Sequence, residues 1–369
     1  MKYAVKYILS ALLLLSMSLI QAQNINLEEE KWVVKEKAMN ISGIDISPDG
    51  MQIAIACASK YPLLIYDWRS QEILKEINVK SDALGYNVRY SSKGNYLLLQ
   101  EKTYTNNIKK AKLSNFLIVD ISKSKVIHQY KKIADIKIGA NEEKFYLLED
   151  GKLKVIDLKS GEKLKSFELE NARNAMAIHP DGNELAIVVE PTKEQMETVP
   201  SLRNDKKAVK NALKFKHMIA VYDVQGEKLK FLVPELYDNI NTMEFSKDGM
   251  KLLNFNAAVN SYINVVNLPS YEPSRESYMS RTNVQPDYSF NADGSMFGIA
   301  SVQEFPTVNI YEAGKGSMID HYSTKNRIFK SMKKKMYPGS YSSFVFLPEG
   351  DHVLIAYGNA LIKWKIERE

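Results

Sequence analysis

The chain has 369 residues, a formal net charge of +6, 45% hydrophobic residues and one cysteine. This is the composition of a globular protein, and a lone cysteine excludes any internal disulfide framework. Length alone would allow two domains, but a repeat running the length of the chain overrides that division. Twenty-one tyrosines suit half-buried strand surfaces.

Residues 1–22 read as a secretory signal. Lys2 and Lys6 form a positive start, residues 8–20 form an apolar core, and Ala22 offers a small residue for cleavage. The apolar run is shorter than the roughly 20 residues of a spanning helix. Export to the periplasm, or secretion, is therefore expected. A large exported chain with no disulfide suits a bacterial envelope.

After an unassigned strand at residues 31–35, a turn signal recurs seven times. The copies begin at Ser47, Ser91, Asn141, His179, Ser246, Asn291 and Leu347. Most read as Ser-Pro-Asp-Gly or a close variant between two apolar strands, which is a strong hairpin pattern. In the first unit, strands are expected over 42–47, 52–59, 63–67 and 73–79. A third-strand pattern recurs with the turn. It reads Ile65-Tyr66-Asp67, Ile118-Val119-Asp120, Val155-Ile156-Asp157, Val221-Tyr222-Asp223, Val265-Val266-Asn267 and Ile310-Tyr311-Glu312. Acids at that place end the strand by accepting local backbone N–H groups. Cys57, in an apolar strand, is expected to pack in the core.

Seven units of this kind predict an all-β chain. It is a seven-bladed β-propeller of four-stranded antiparallel blades, filling residues 23–369. The last unit stops after its third strand. The strand at 31–35 is therefore expected to complete the last blade and close the ring, and deleting residues 24–38 should destabilise the whole fold. The turn and third-strand motifs resemble the WD40-type β-propeller repeats, particularly those of exported bacterial proteins, over about residues 30–369. The resemblance implies the fold and a binding or scaffolding role. The family's Trp-Asp dipeptide is absent, with Asp67-Trp68 reversed, and so is its Gly-His dipeptide. The Asp–His–Ser network of the eukaryotic members is not implied.

Successive turns are 44, 50, 38, 67, 45 and 56 residues apart. The excess marks inserts at about 102–112, 191–217 and 325–340. Segment 102–112 carries Lys102, Lys109, Lys110 and Lys112. Segment 203–216 carries Arg203, Lys206, Lys207, Lys210, Lys214 and Lys216 against Asp205. Segment 325–335 carries Arg327, Lys325, Lys330, Lys333, Lys334 and Lys335. Together they hold +15 against +4 for the chain after cleavage, so the remainder is about −11. Connections between second and third strands share a face with connections between blades. All three inserts are thus expected on one face, opposite the turns, giving a polarised molecule that attracts anionic partners. Residues 204–216 are expected to form a short helix, capped by Asn204 or Asp205, with Val209, Ala212 and Leu213 on one side. Lys330 to Met336, with Phe329 and Met332, could likewise dock on acidic-apolar surface.

The five histidines show no metal-ligand spacing. No Gly-x-Ser-x-Gly elbow or phosphate loop occurs, and neither metal nor cofactor is expected. His179 stands where other turns have Ser and is read as a turn residue. An enzymatic alternative comes from propeller lactonases, which this chain resembles in length and blade number. Such enzymes use a few His, Glu and Arg residues around the channel, and Arg89, Glu244 and Asp287, on expected inner strands, could reach its mouth. The favoured expectation is a monomeric, non-catalytic module that binds an acidic protein through the basic face. Export disfavours nucleic acid.

Overall fold

At several turns the first side chain fixes the geometry. Ser47 Oγ donates to Asp49 Oδ1 at 2.5 Å, and the same carboxylate oxygen accepts from Met51 N at 2.9 Å. Gly50 N closes onto Ser47 O at 2.8 Å, with Gly50 at φ +71°, a conformation that glycine adopts without steric cost. The arrangement recurs at Ser246 and Asp248, down to the bond from Met250 N. One turn departs from expectation. In the third unit, Glu142 N bonds Gly139 O at 3.0 Å and Glu142 takes the positive φ, +59°. That turn therefore begins at Gly139, two residues before the expected Asn141. Glu142 carries this strained place because its carboxylate accepts from Lys93 N at 2.6 Å and Asn95 Nδ2 at 2.7 Å, tying this turn to its neighbour.

The structure, a computed structural model, describes residues 30–35, 39–58, 61–79, 84–102, 113–169, 171–198, 200–215, 217–224, 228–233, 240–256, 261–268, 270, 272–273, 278–280, 287–302, 306–314, 317–323 and 343–367. The expected signal segment 1–22, most of the first insert and the whole third insert lie outside the described residues.

Strand β1 (Glu30–Val33) comes first and is set apart. Blade 1 is β2 (Ile41–Ile46), β3 (Gln52–Cys57), β4 (Leu63–Asp67) and β5 (Glu72–Ile77). Blade 2 is β6 (Tyr86–Tyr90), β7 (Tyr96–Glu101), β8 (Ser114–Asp120) and β9 (Lys125–Ile133). Blade 3 is β10 (Asp135–Ile138), β11 (Lys144–Glu149), β12 (Lys152–Asp157) and β13 (Lys163–Glu168). Blade 4 is β14 (Ala172–Ile178), β15 (Glu184–Val189), β16 (Met218–Asp223) and β17 (Lys228–Leu232). Blade 5 is β18 (Ile240–Phe245), β19 (Lys251–Asn256) and β20 (Ser261–Asn267), with an outer edge in two pieces, β21 (Glu272–Pro273) and β22 (Tyr278–Ser280). Blade 6 is β23 (Asp287–Phe290), β24 (Met296–Val302), β25 (Pro306–Glu312) and β26 (Met318–Ser323). Blade 7 joins β27 (Ser343–Phe346), β28 (His352–Tyr357) and β29 (Ala360–Lys365) to β1. The closure expected from the sequence is present: β1 lies antiparallel to β29, with Trp32 opposite Leu361.

The core consists of seven apolar layers, one between each pair of neighbouring blades. Blade 1 shows how one strand serves two of them. Ile53, Ile55 and Cys57 pack toward blade 7 with Trp32, Val345 and Leu361. Ala54 and Ala56 pack toward blade 2 with Val88, Leu97 and Leu99. Both faces are buried, so the strand reads as one apolar run, with alternation surviving only as large against small. Cys57 is a buried free thiol, and burial pushes its pKa up to about 12. The outermost strands β5 and β13 are mostly exposed.

The second insert lies between β15 and β16 and folds as three helices, α1 (Lys193–Thr198), α2 (Pro200–Arg203) and α3 (Lys206–Phe215). Thr192 and Gln195 cap α1 reciprocally, each side chain accepting the other's backbone N–H at 3.1 and 3.0 Å. Asp205 caps α3, its Oδ1 accepting from Lys207 N at 3.0 Å. No helix among the described residues is long and apolar enough to cross a membrane.

Candidate functional site

The inner strands bring charged side chains from most blades together at the centre of the ring. Arg89 leaves β6 in blade 2 and reaches blade 6. Its Nη2 donates to Asp287 Oδ1 at 2.7 Å and to Tyr288 O at 2.8 Å, so the guanidinium spans the channel. The same Asp287 accepts from Ser343 Oγ of blade 7, whose oxygen in turn accepts from Ile44 N of blade 1 at 2.9 Å. One carboxylate thus links four blades. Asp45 of blade 1 accepts from Tyr90 N of blade 2 at 2.6 Å. Asp135 of blade 3 accepts from Met176 N of blade 4 at 2.9 Å and pairs with Lys137 at 3.5 Å.

Burial sets the electrostatics. It pushes the carboxyls of Asp45, Asp135 and Glu244 above the usual carboxylate range, against the opposing pull of Arg89 on Asp45 and Glu244 and of Lys137 on Asp135. Burial alone would lower Arg89, but Asp287, Asp45 and Glu244 outweigh it and hold the guanidinium charged. Lys102 is the reverse: burial pulls its ammonium down to about 8 despite the attraction of Asp287.

Arg89, Glu244 and Asp287 therefore do converge on the channel, as the sequence led us to expect. Lys102 does not belong where its segment placed it. It is 8% exposed and donates to Ser42 O in the ring interior, so it adds nothing to a basic loop face. Sequence reasoning missed Asp45, Asp135, Lys137 and Tyr288. The signal for the first three was their register. Counting back two residues from the turn start gives Asp45, Arg89, Lys137 and Glu244 in blades 1, 2, 3 and 5, and counting back four gives Asn87, Asp135, Thr242 and Asp287 in blades 2, 3, 5 and 6. With the third turn placed at Asn141, blade 3 fell out of step.

The other candidate surface is the helical insert. Met196 and Leu202 are fully buried in the layer between blades 3 and 4, and Val209 packs against the same layer. Leu213, expected on that side, is instead 46% exposed. Arg203, Lys206, Lys207, Lys210 and Lys214 are exposed. Arg203 Nε donates to Glu197 O at 3.0 Å, which bends α2 back onto α1. Lys109 and Lys110 of the first insert lie outside the described residues, as do Arg327, Lys330, Lys333, Lys334 and Lys335 of the third. His179 is a turn residue, as read: its Nε2 meets Gly249 O of the next blade at 3.1 Å. The third-strand acids also serve turns. Asp67 Oδ1 accepts from Arg69 N and Ser70 N, and Asp157 Oδ1 from Lys159 N and Ser160 N. Among the described residues no group of three or more His, Cys, Asp or Glu could hold a metal ion.

This ring of blades defines the chain as a seven-bladed β-propeller. Two solved structures share that architecture. The β-propeller domain of Myceliophteria thermophila Cps50 (Swd1) superposes with a TM-score of 0.61 at 12% identity, covering 90% of this chain and 98% of that one. Kuenenia stuttgartiensis hydrazine synthase gives a TM-score of 0.59 at 14% identity, covering 89% and 96%. At such identities the likeness is one of fold. No protein-family model and no curated protein matches the chain.

Proposed function

We propose that this chain is an exported, non-catalytic member of the WD40-like propellers that binds an acidic protein through its basic loop face. The observation that carries the reading is the anchored insert. A merely solvated lysine-rich loop has no need of a buried Met196 and Leu202, two helix caps and a packed Val209. These fix a scaffold from which Arg203, Lys206, Lys207, Lys210 and Lys214 project. Preorganised charge of one sign steers an oppositely charged partner and weakens with salt. The chain ends flanking the other two inserts, after β7 and after β26, leave the ring on the same side as the helices.

Reversing the lysines of 203–216 and 325–335 to Glu should abolish capture of the partner from envelope extract at low salt. High salt should do the same to the unchanged chain. Reversing Lys206, Lys207, Lys210 and Lys214 alone should leave the melting temperature unchanged, because these four side chains are exposed. Partners retained after the reversal would refute the basic-face reading. A second reading, hydrolysis of lactone type at the channel, draws on the meeting of Arg89, Glu244 and Asp287. Against it, Arg89 and Asp287 already satisfy each other. Turnover of a lactone that disappears in Glu244→Gln would favour the enzyme.

A further inference from the structure

The channel contains a cavity of about 280 Å³ with a mixed lining. Leu98, Phe116, Ala134 and Ile136 supply apolar surface. Asn87, Asn174 and Glu244, from blades 2, 4 and 5, supply polar groups beside Arg89 and Lys137. The polar groups are incompletely satisfied. Asn87 Oδ1 and Asn174 Oδ1 are buried and accept no hydrogen bond, and the Tyr90 hydroxyl on the same cavity also has no partner. Asn174 is oriented by its own amide, whose Nδ2 donates to Ile240 O at 3.2 Å, so its oxygen is the atom left over. Among the described residues no hydrogen bond reaches the Glu244 carboxyl, which interacts only through the charges around it. Several unpaired acceptors around one cavity are unusual in a folded protein and call for an explanation.

The unpaired atoms state what would satisfy them. All but the hydroxyl are acceptors only, so the occupant brings donors. One is a carboxylate, so the occupant is a cation. The two competing cations are already committed, Arg89 to Asp287 and Lys137 to Asp135. Water alone would serve the polar groups and leave the apolar lining without function. A bare metal ion lacks its usual cluster of ligands here and would gain nothing from Leu98 or Phe116. We infer that the channel cavity binds a small organic primary ammonium. Its three N–H groups are directed to Glu244, Asn87 Oδ1 and Asn174 Oδ1, and its hydrocarbon part lies against Leu98, Phe116 and Ile136. The volume suits a compact molecule, equal to that of about nine waters at ~30 Å³ each. This site is independent of the basic face and of any partner there.

The site has a pH signature. Arg89, Asp45, Lys137 and Asp287 act on Glu244 from the surrounding strands, and the Tyr288 phenol faces it as well. Burial holds its carboxyl above the usual carboxylate range. The ammonium binds the ionised form, so affinity falls as pH drops through that raised value.

The test is calorimetry and thermal melting of the full chain with n-butylammonium and benzylammonium. n-Butanol serves as the neutral isostere, and calcium and potassium chlorides as the metals alone. The expected result is saturable binding of the ammonium compounds at neutral pH, weakening in acid, and at least tenfold weaker in Glu244→Gln and in Asn174→Leu. Glu244→Gln without ligand should melt no lower than the unchanged chain, because the Glu244 carboxyl accepts no hydrogen bond among the described residues. That melting separates loss of binding from loss of folding. The inference is overturned if neither ammonium binds saturably, if n-butanol binds as tightly, if a metal alone fills the site, or if Glu244→Gln binds equally well.

Discussion

At the residue scale, the ionisable groups sort into those that hold turns and those that hold the ring. Asp120 is buried at 4% exposure in its turn. Burial alone would raise its pKa, but Ser122 Oγ, Lys123 N and the Lys123 ammonium overcome this and bring it down to about 2. A carboxylate depressed in the folded state contributes stability above its unfolded value of 3.8. That stability is lost as pH falls through the folded value. Asp120→Asn should therefore cost about 2 kcal/mol at pH 7, and denaturant titrations should show the difference closing below pH 3. Arg89 and Asp287 form the second kind of contact. Arg89→Met leaves Asp287 buried with only Ser343 as partner and should cost about 3 kcal/mol. Adding Asp287→Asn should recover much of that loss, and a double-mutant cycle by urea unfolding measures the coupling. A strictly additive double mutant would mean the pair across the channel contributes nothing of its own.

At the element scale, β1 is four residues long yet covers the otherwise open edge of β29. Trp32 and Val33 are buried, Trp32 in the layer between blades 1 and 7. Trp32→Ala should destabilise by about 3 kcal/mol, and deleting residues 24–38 should lower the melting temperature further and promote self-association through the uncovered strand. A truncation with unchanged melting would rule out closure as a source of stability. These elements were legible in the sequence because turn chemistry and strand patterning are local: the Ser47–Asp49–Gly50 geometry is decided within four residues. The blade 3 turn was misplaced for the same reason. Nothing local marks Glu142 as the residue at positive φ, since the groups that hold it there, Lys93 N and Asn95 Nδ2, belong to blade 2. Likewise Asp205 could be named as a cap, but whether Val209 or Leu213 met the ring depended on how α3 lay across blades 3 and 4.

At the scale of the whole molecule, the channel site was only half visible. Arg89, Glu244 and Asp287 stood out as charged residues on inner strands. Their partners Asp45, Asp135 and Lys137 emerge only once every blade is in register, and Lys102 looked like one more surface lysine until its chain direction was fixed. Ring geometry turns residues far apart in sequence into neighbours, and no window of the chain contains that information. The same geometry keeps two features apart: the exposed basic side chains of the helical insert, and the polar centre along the axis. The seam of blade 7 has a further consequence for how the molecule comes into being. Glu30 is paired with Lys363, so β1 waits for β29, which is synthesised long after it. At ribosomal rates of roughly 5–20 residues per second, that interval is on the order of tens of seconds. Six blades can stack in that time, but the circle stays open and one sheet edge stays bare until β29 arrives. The newborn ring is thus most exposed to mispairing just before its seam closes.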